Sequence, residues 1–130
     1  MSMLPSENES EGADDGGYVT DDHLLVDVLG GHPKTRILAV FLGNPEMDFN
    51  VTEIADYADL KRDTVYKYLD TLRGWGLVEE TRRVGNSQMY ALNTDSEAAK
   101  SLAKAEWKLV ELLGQKEEQD QLDEDNNPLP

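Results

Sequence analysis

Apolar residues recur three and four positions apart along the first half of the chain, and two apart from about residue 77. Leu24, Leu25, Val28 and Leu29 share one face of a helix predicted over 21–29, with Thr20 as its cap and Gly30-Gly31 as its stop. Pro33 opens a second helix through Ile37, Leu38, Val40 and Phe41, closed by Gly43-Asn44-Pro45. Asn50-Val51-Thr52-Glu53 has capping-box spacing and predicts a third helix through Ile54 to Ala58. A fourth begins near Arg62, with Val65, Tyr68, Leu69 and Leu72 as its buried face, and Gly74 and Gly76 end it.

Segments 77–83 and 88–92 then read as strands, and the Gly85-Asn86 between them signals a tight hairpin that puts Tyr90 and Leu92 on one face. Thr94-Asp95-Ser96-Glu97 has the spacing of a second capping box, and the helix it opens is predicted to stop at Gly114. Along that helix Ala98, Leu102, Ala105, Leu109 and Leu112 form a 4-3-4-3 seam, which Val110 and Leu113 widen, while Trp107 adds a second apolar surface. The expected fold is mainly α with a small β-hairpin, an added N-terminal helix and a long C-terminal helix.

Charge changes the picture. The 130 residues carry 27 acids and 12 bases, a net charge of −15. Residues 1–22 hold seven acids and no base, and residues 101–130 hold eight acids and three lysines. Twelve of the fifteen net negative charges therefore lie in the two ends, and 1–19 and 115–130 read as disordered acidic tails. The middle is also acid-rich, which points to adaptation to a very salty medium, where high negative charge maintains solubility. At about 1 M salt the Debye length is about 3 Å, so long-range repulsion from a polyanion is screened.

Other classes drop out on composition. The chain has no cysteine, so disulfides, thiolate zinc sites, iron–sulfur clusters and thiol switches are excluded. No apolar run is long enough to span a membrane, and the N-terminus lacks the basic and apolar regions of a signal peptide, so a cytoplasmic protein without a membrane partner is expected. His23 with Asp27 supplies two ligands, too few for a metal site, and His32 precedes a helix-opening proline. No nucleophile–base pair or glycine-rich phosphate loop is present, so no enzyme and no cofactor are expected. Met89 could be oxidised to its sulfoxide, although packing filler is the simpler role.

The stretch 51–80 resembles the core of winged helix-turn-helix regulators of the ArsR, MarR and PadR type. The matching residues are Glu53-Ile54-Ala55, Arg62, Thr64-Val65, Leu69, Leu72 and Gly76-Leu77-Val78. The resemblance covers about residues 33–92 and implies a DNA-binding domain over 20–93, with a dimerisation helix over 94–114. One position departs from the pattern: Lys61 stands where those families place a capping serine, and lysine cannot accept from helix amides. The metal-sensing members use Cys or His clusters that this chain lacks. With its tails, the chain also resembles a haloarchaeal regulator of the oxidative-stress response, which implies DNA occupancy that changes with oxidants.

The residues support the DNA reading independently. Burying one face of the fourth helix leaves Lys61, Arg62, Asp63, Thr64, Tyr66 and Lys67 to meet double-stranded DNA in a major groove. Arg82, Arg83, Asn86, Ser87 and Gln88 surround the hairpin tip, where a wing meets phosphates or the minor groove. Lys34 and Arg36 could add backbone contacts. Asp63, Asp70, Glu79 and Glu80 lie on or beside the same face, which calls for K+ or other salt cations between protein and phosphates. A solvated helix face would explain the isolated helix charges; two adjacent wing arginines in so acidic a chain would not be explained by it. The alternative is a winged-helix protein-interaction module that never touches DNA. The seam Ala98, Leu102, Ala105, Leu109 and Leu112 predicts a homodimer.

Overall fold

The computed structural model describes residues 24–125 and 127–130. The acidic segment 1–19 and the predicted cap and first residues of the first helix lie outside the described residues. In chain order the elements are α1 (Leu24–Leu29), α2 (Pro33–Gly43), β1 (Asp48–Phe49), α3 (Val51–Ala58), α4 (Arg62–Gly74), β2 (Val78–Val84), β3 (Ser87–Leu92) and α5 (Glu97–Glu118). The three strands form one antiparallel sheet in the order β1-β3-β2.

α2 is the axis of the fold. Pro33 starts it, with the His32 side chain accepting from the Lys34 amide through Nδ1 (3.0 Å). Asn44 ends it by donating its own amide to Phe41 O and its side-chain Nδ2 to Val40 O. Ile37, Val40 and Phe41 are fully buried, and α2 packs on α1, α3, α4, α5 and β3. Phe41 meets Phe49 edge-on at 5.8 Å, and Phe49 meets Tyr57 likewise at 5.6 Å. The core cluster continues through Ile54, Val65, Leu69, Leu72, Val78, Tyr90 and Leu92.

The capping box on α3 forms as expected: Asn50 Oδ1 accepts from the Glu53 amide (2.8 Å), and Glu53 Oε1 accepts from the Asn50 amide (2.9 Å). α3 stops at Asp59, which takes a left-handed conformation (φ 56°). Arg36 caps that end by donating Nε to Ala58 O (2.8 Å), with Asp59 3.7 Å from its guanidinium. Arg36 thereby serves the joint between α2 and α3. Gly76 (φ +76°) closes α4, with Leu77 N donating to Leu72 O in the manner of a Schellman cap.

Four features differ from the expectation. β1 has only two residues, too few to show a period, and it exists because it pairs with β3, Asp48 with Ala91 and Phe49 with Tyr90. α5 opens at Ser96, whose hydroxyl accepts from the Ala99 amide, and not at Thr94. Asn93 explains the delay: its side chain donates to Gly76 O and accepts from the Asp95 amide, so the chain is still turning at 94–95. α5 also continues through Gly114 to Glu118, since one helical glycine costs only about 1 kcal/mol and Gln115, Lys116, Glu117 and Glu118 are good helix formers. At 22 residues it is about 33 Å long. Beyond it the chain folds back, with a Leu122–Pro128 bridge and the Asp123 carboxylate accepting from the amides of Asp125 and Asn127. That ordered turn lies in the segment expected to be a disordered tail.

The predicted seam of α5 divides between two environments. Ala99 is fully buried and Leu102 and Ala103 pack on the core of their own chain, while Ala98, Ala105 and Leu112 are exposed and Leu109 is half-buried. Among the described residues no helix is long and apolar enough to cross a membrane.

Candidate nucleic-acid interface

α4 buries Val65, Leu69 and Leu72 and half-buries Tyr68, which fixes its outward face. Lys61, Arg62, Asp63, Tyr66 and Lys67 are exposed and Thr64 is half-buried, so these predicted residues fall on one accessible turn and a half. The Lys61 side chain makes no capping bond, as its chemistry requires, and Asp63 in the first turn supplies the negative charge that suits the helix N-terminus. Lys67 Nζ lies 5.1 Å from the Tyr68 ring centre, whose edge meets His32.

The wing is a two-residue hairpin. Gly85 takes φ +61° and Asn86 follows without a positive φ, the II′ pattern that suits twisted strands. Arg83 donates from its guanidinium to Asn86 O across this tip (3.1 Å). Ser87 pairs with Val84 at the turn and is half-buried. Gln88 faces back into the hairpin, its amide donating to the carbonyls of Arg82 and Met89 (both 3.1 Å). Of the five predicted wing residues, Arg83 and Asn86 form the tip, and Ser87 and Gln88 shape it.

Arg82 goes elsewhere. Its Nε and a terminal nitrogen donate to the two oxygens of Asp48 at 2.9 and 3.2 Å, and the Thr81 hydroxyl donates to the same carboxylate at 2.9 Å. The bonds from Arg82 and Thr81 hold the Asp48 carboxyl below its ordinary pKa against an opposing effect of partial burial, and Asp48 raises that of Arg82. Asp48 was not among the predicted residues; the only sequence signal would have been an acid directly before a buried aromatic residue.

The ion pairs sort the cations of the whole molecule. Arg36 meets Asp59, Arg73 meets Asp70 and Glu80, Arg82 meets Asp48, Lys100 meets Glu97 and Lys108 meets Glu111. Lys61, Arg62, Lys67 and Arg83 form no ion pair with any described residue, and neither do Lys34 of α2 and Lys104 and Lys116 of α5. Arg73 also lies 5.9 Å from the Tyr90 ring, at the point where α4 leans on the sheet. Burial, and next to it the Glu80 charge, raise the pKa of the Tyr90 phenol.

Helices α2 to α4 followed by the β2–β3 hairpin constitute a winged helix-turn-helix. The family described as the IclR helix-turn-helix domain matches residues 35–82. Among solved structures, a MarR family regulator from Neisseria meningitidis superposes with a TM-score of 0.52 at 20% identity, covering 65% of this chain and 58% of that one. ZitR from Lactococcus lactis, a mutant in apo form, gives a TM-score of 0.54 at 18% identity, covering 72% of this chain and 71% of that one. Similarity at this level is similarity of fold. The chain thus spans little more than half the length of the first of these proteins. No curated protein matches it.

Proposed function

We propose that this chain is a homodimeric, sequence-specific DNA-binding regulator of transcription, with α4 in the major groove and the wing tip on the backbone or minor groove. One observation carries the reading. In a chain with more than two acids per base, seven cations form no ion pair with a described residue, and four of them, Lys61, Arg62, Lys67 and Arg83, including both arginines of the seven, lie on the recognition helix and the wing tip. Phosphates and guanine edges are what such unpaired cations suit. The match to a helix-turn-helix family and the regulator folds point the same way.

The finer parts of the reading have separate supports. Dimerisation draws on exposed apolar side chains of two helices that pack on each other, Val28 and Leu29 of α1 and Trp107 and Val110 of α5, with Leu112 exposed on another side of α5. Two-fold symmetry then calls for half-sites one helical turn, about 10 bp, apart or a multiple of it. High-salt adaptation draws on the net charge, and K+ or similar cations at the interface draw on Asp63 and Glu79, exposed and without an ion pair among the described residues. An oxidant response draws only on the whole-chain resemblance to the haloarchaeal regulator.

The test is selection of duplexes from a random-sequence library by the full chain, followed by fluorescence-anisotropy titrations of an enriched duplex at KCl from about 0.5 to 3 M. The expected result is a palindromic consensus and an affinity that depends weakly on salt, because cation uptake at the carboxylates offsets cation release from the phosphates. Failure to enrich any duplex would overturn DNA binding, and a steep loss of affinity throughout the series would overturn cation uptake.

A further inference from the structure

The two adjacent wing arginines are separated by an irregularity in β2. Glu80 pairs with Tyr90 and Arg83 with Gln88, so Thr81 and Arg82 together stand opposite the single residue Met89. This is a β-bulge. In a regular strand consecutive side chains point to opposite faces, and Thr81 and Arg82 could not both reach one carboxylate. The extra residue removes that restriction and brings both onto Asp48. Gln88 accompanies the bulge, its amide donating to the Arg82 and Met89 carbonyls.

Asp48 is well anchored for such a task. It precedes Phe49, which is 1% exposed and packed between Phe41 and Tyr57, and it lies two residues before the α3 cap Asn50. The Arg82–Asp48 fork therefore spans the sheet from its outer strand β2, across β3, to a strand rooted in the helix-turn-helix. Its geometry is bidentate, the form in which a guanidinium is held in orientation as well as in position. Moving Arg82 to a phosphate would leave Asp48, with a side chain only 19% exposed, uncompensated in a groove that Glu46 and Glu79 also line. Desolvation and like charge both oppose that exchange.

We propose that Asp48, Thr81 and Arg82 form a wing-positioning lock, which sets the hairpin against α4 so that Arg83 and Asn86 reach the nucleic acid while Arg82 makes no contact with it. The lock rests on the DNA-binding reading above. It divides two neighbouring arginines between two tasks: Arg83 is a contact residue, and Arg82 is a positioning residue acting through the backbone of the hairpin.

The experiment measures Kd by fluorescence anisotropy on one labelled duplex selected by the unaltered full chain, over a KCl series, with thermal melting of each variant as a check of folding. Asp48→Asn and Arg82→Gln are each expected to weaken binding about tenfold, and the double variant no more than either one, because both remove the same fork. Neither changes the slope of log Kd against log[KCl], since neither removes a phosphate contact. Arg83→Gln changes that slope by about 0.9, the signature of one lost contact. Arg82→Lys separates the roles further: it keeps the charge but loses the fork, so it is expected to bind as weakly as Arg82→Gln. The lock is overturned if Asp48→Asn leaves binding unchanged or tightens it, if Arg82→Gln flattens the salt slope, or if Arg82→Lys binds like the unaltered chain. If the unaltered chain enriches no duplex, the DNA-binding reading itself fails and the lock falls with it, an outcome distinct from normal binding with the wrong pattern among variants.

Discussion

The face made by α4 with the wing tip and the face made by α1 with α5 are built on the same helix, α2, yet they expose opposite chemistry. The first shows cations that form no ion pair with a described residue: Lys61, Arg62, Lys67 and Arg83. The second shows apolar side chains that no described residue covers: Val28 and Leu29, 63% and 65% exposed, with Trp107 at 60% and Val110 at 43%. Of the other cations Arg36, Arg73, Arg82, Lys100 and Lys108 are paired to acids, whereas Lys34, Lys104 and Lys116 form no ion pair with a described residue, and Trp75 is a further exposed apolar side chain. The proposed partners follow that chemistry: a polyanion would suit the first face and a second apolar surface the other.

The largest effect is expected at α5. Trp107→Glu combined with Val110→Glu places carboxylates in the proposed dimer contact, each at a cost of about 3–5 kcal/mol if left uncompensated, enough to raise the dimer dissociation constant more than 100-fold. Light scattering in concentrated KCl is expected to show a dimer for the unaltered chain and a monomer for the variant. These positions are better probes than Leu102, which packs on the core of its own chain, so that its replacement would unfold the protomer and report nothing about the dimer.

Phe41→Ala attacks the support common to both faces. Phe41 is fully buried in α2, and its removal is expected to destabilise the fold by about 3–5 kcal/mol, read from denaturant unfolding. Both DNA binding and dimerisation should fall together in this variant, whereas the α5 variant should lose dimerisation first.

Within the cationic face, Arg62→Ala is expected to weaken cognate binding by about 1–3 kcal/mol and to relax specificity at one base position. Arg73→Ala is the matched control: its charge is already met by Asp70 and Glu80, so its effect on Kd should be clearly smaller. Equal losses for the two would contradict the assignment of unpaired cations to DNA. Asn50→Ala, which breaks the capping box of α3 outside both faces, is expected to cost about 1 kcal/mol of stability without a change in specificity.

The smallest effect is an acid one. The carboxyl of Asp48 titrates below its unfolded value of about 3.9, so its contribution is complete above that pH and is lost as pH falls through the lower folded value. Thermal melts from about pH 5 downward should therefore fall less steeply for Asp48→Asn than for the unaltered chain. Parallel curves would show that the ion pair adds nothing to stability.

Much of this molecule was legible in one dimension because its signals are local. The Asn50–Glu53 box, Pro33 at the head of α2, the Val65, Leu69 and Leu72 stripe, and Gly85-Asn86 at the hairpin each act within a few residues. The exposed cations of α4 followed from the same stripe, since burying one helix face exposes the other. Sequence spacing was a weaker guide on α5, where Ala98 and Leu102 sit at heptad positions but only Leu102 faces the core.

What the chain by itself determined was the order of helices and strands, the caps at most of their ends, and which side of α4 faces outward, all consequences of periodicity and short-range hydrogen bonding. Tertiary structure alone decided that Asp48 and Phe49 become a strand, that Arg36 serves the end of α3, that α5 turns Leu102 inward, and that Arg82 and Arg83 part company. Those outcomes depend on partners far along the chain. Arg82 reaches an acid 34 residues earlier, through a bulge that exists only once β2 and β3 have paired. A side chain with two available acceptors is committed by whichever one the fold brings within 3 Å, and no spacing rule along the chain contains that distance.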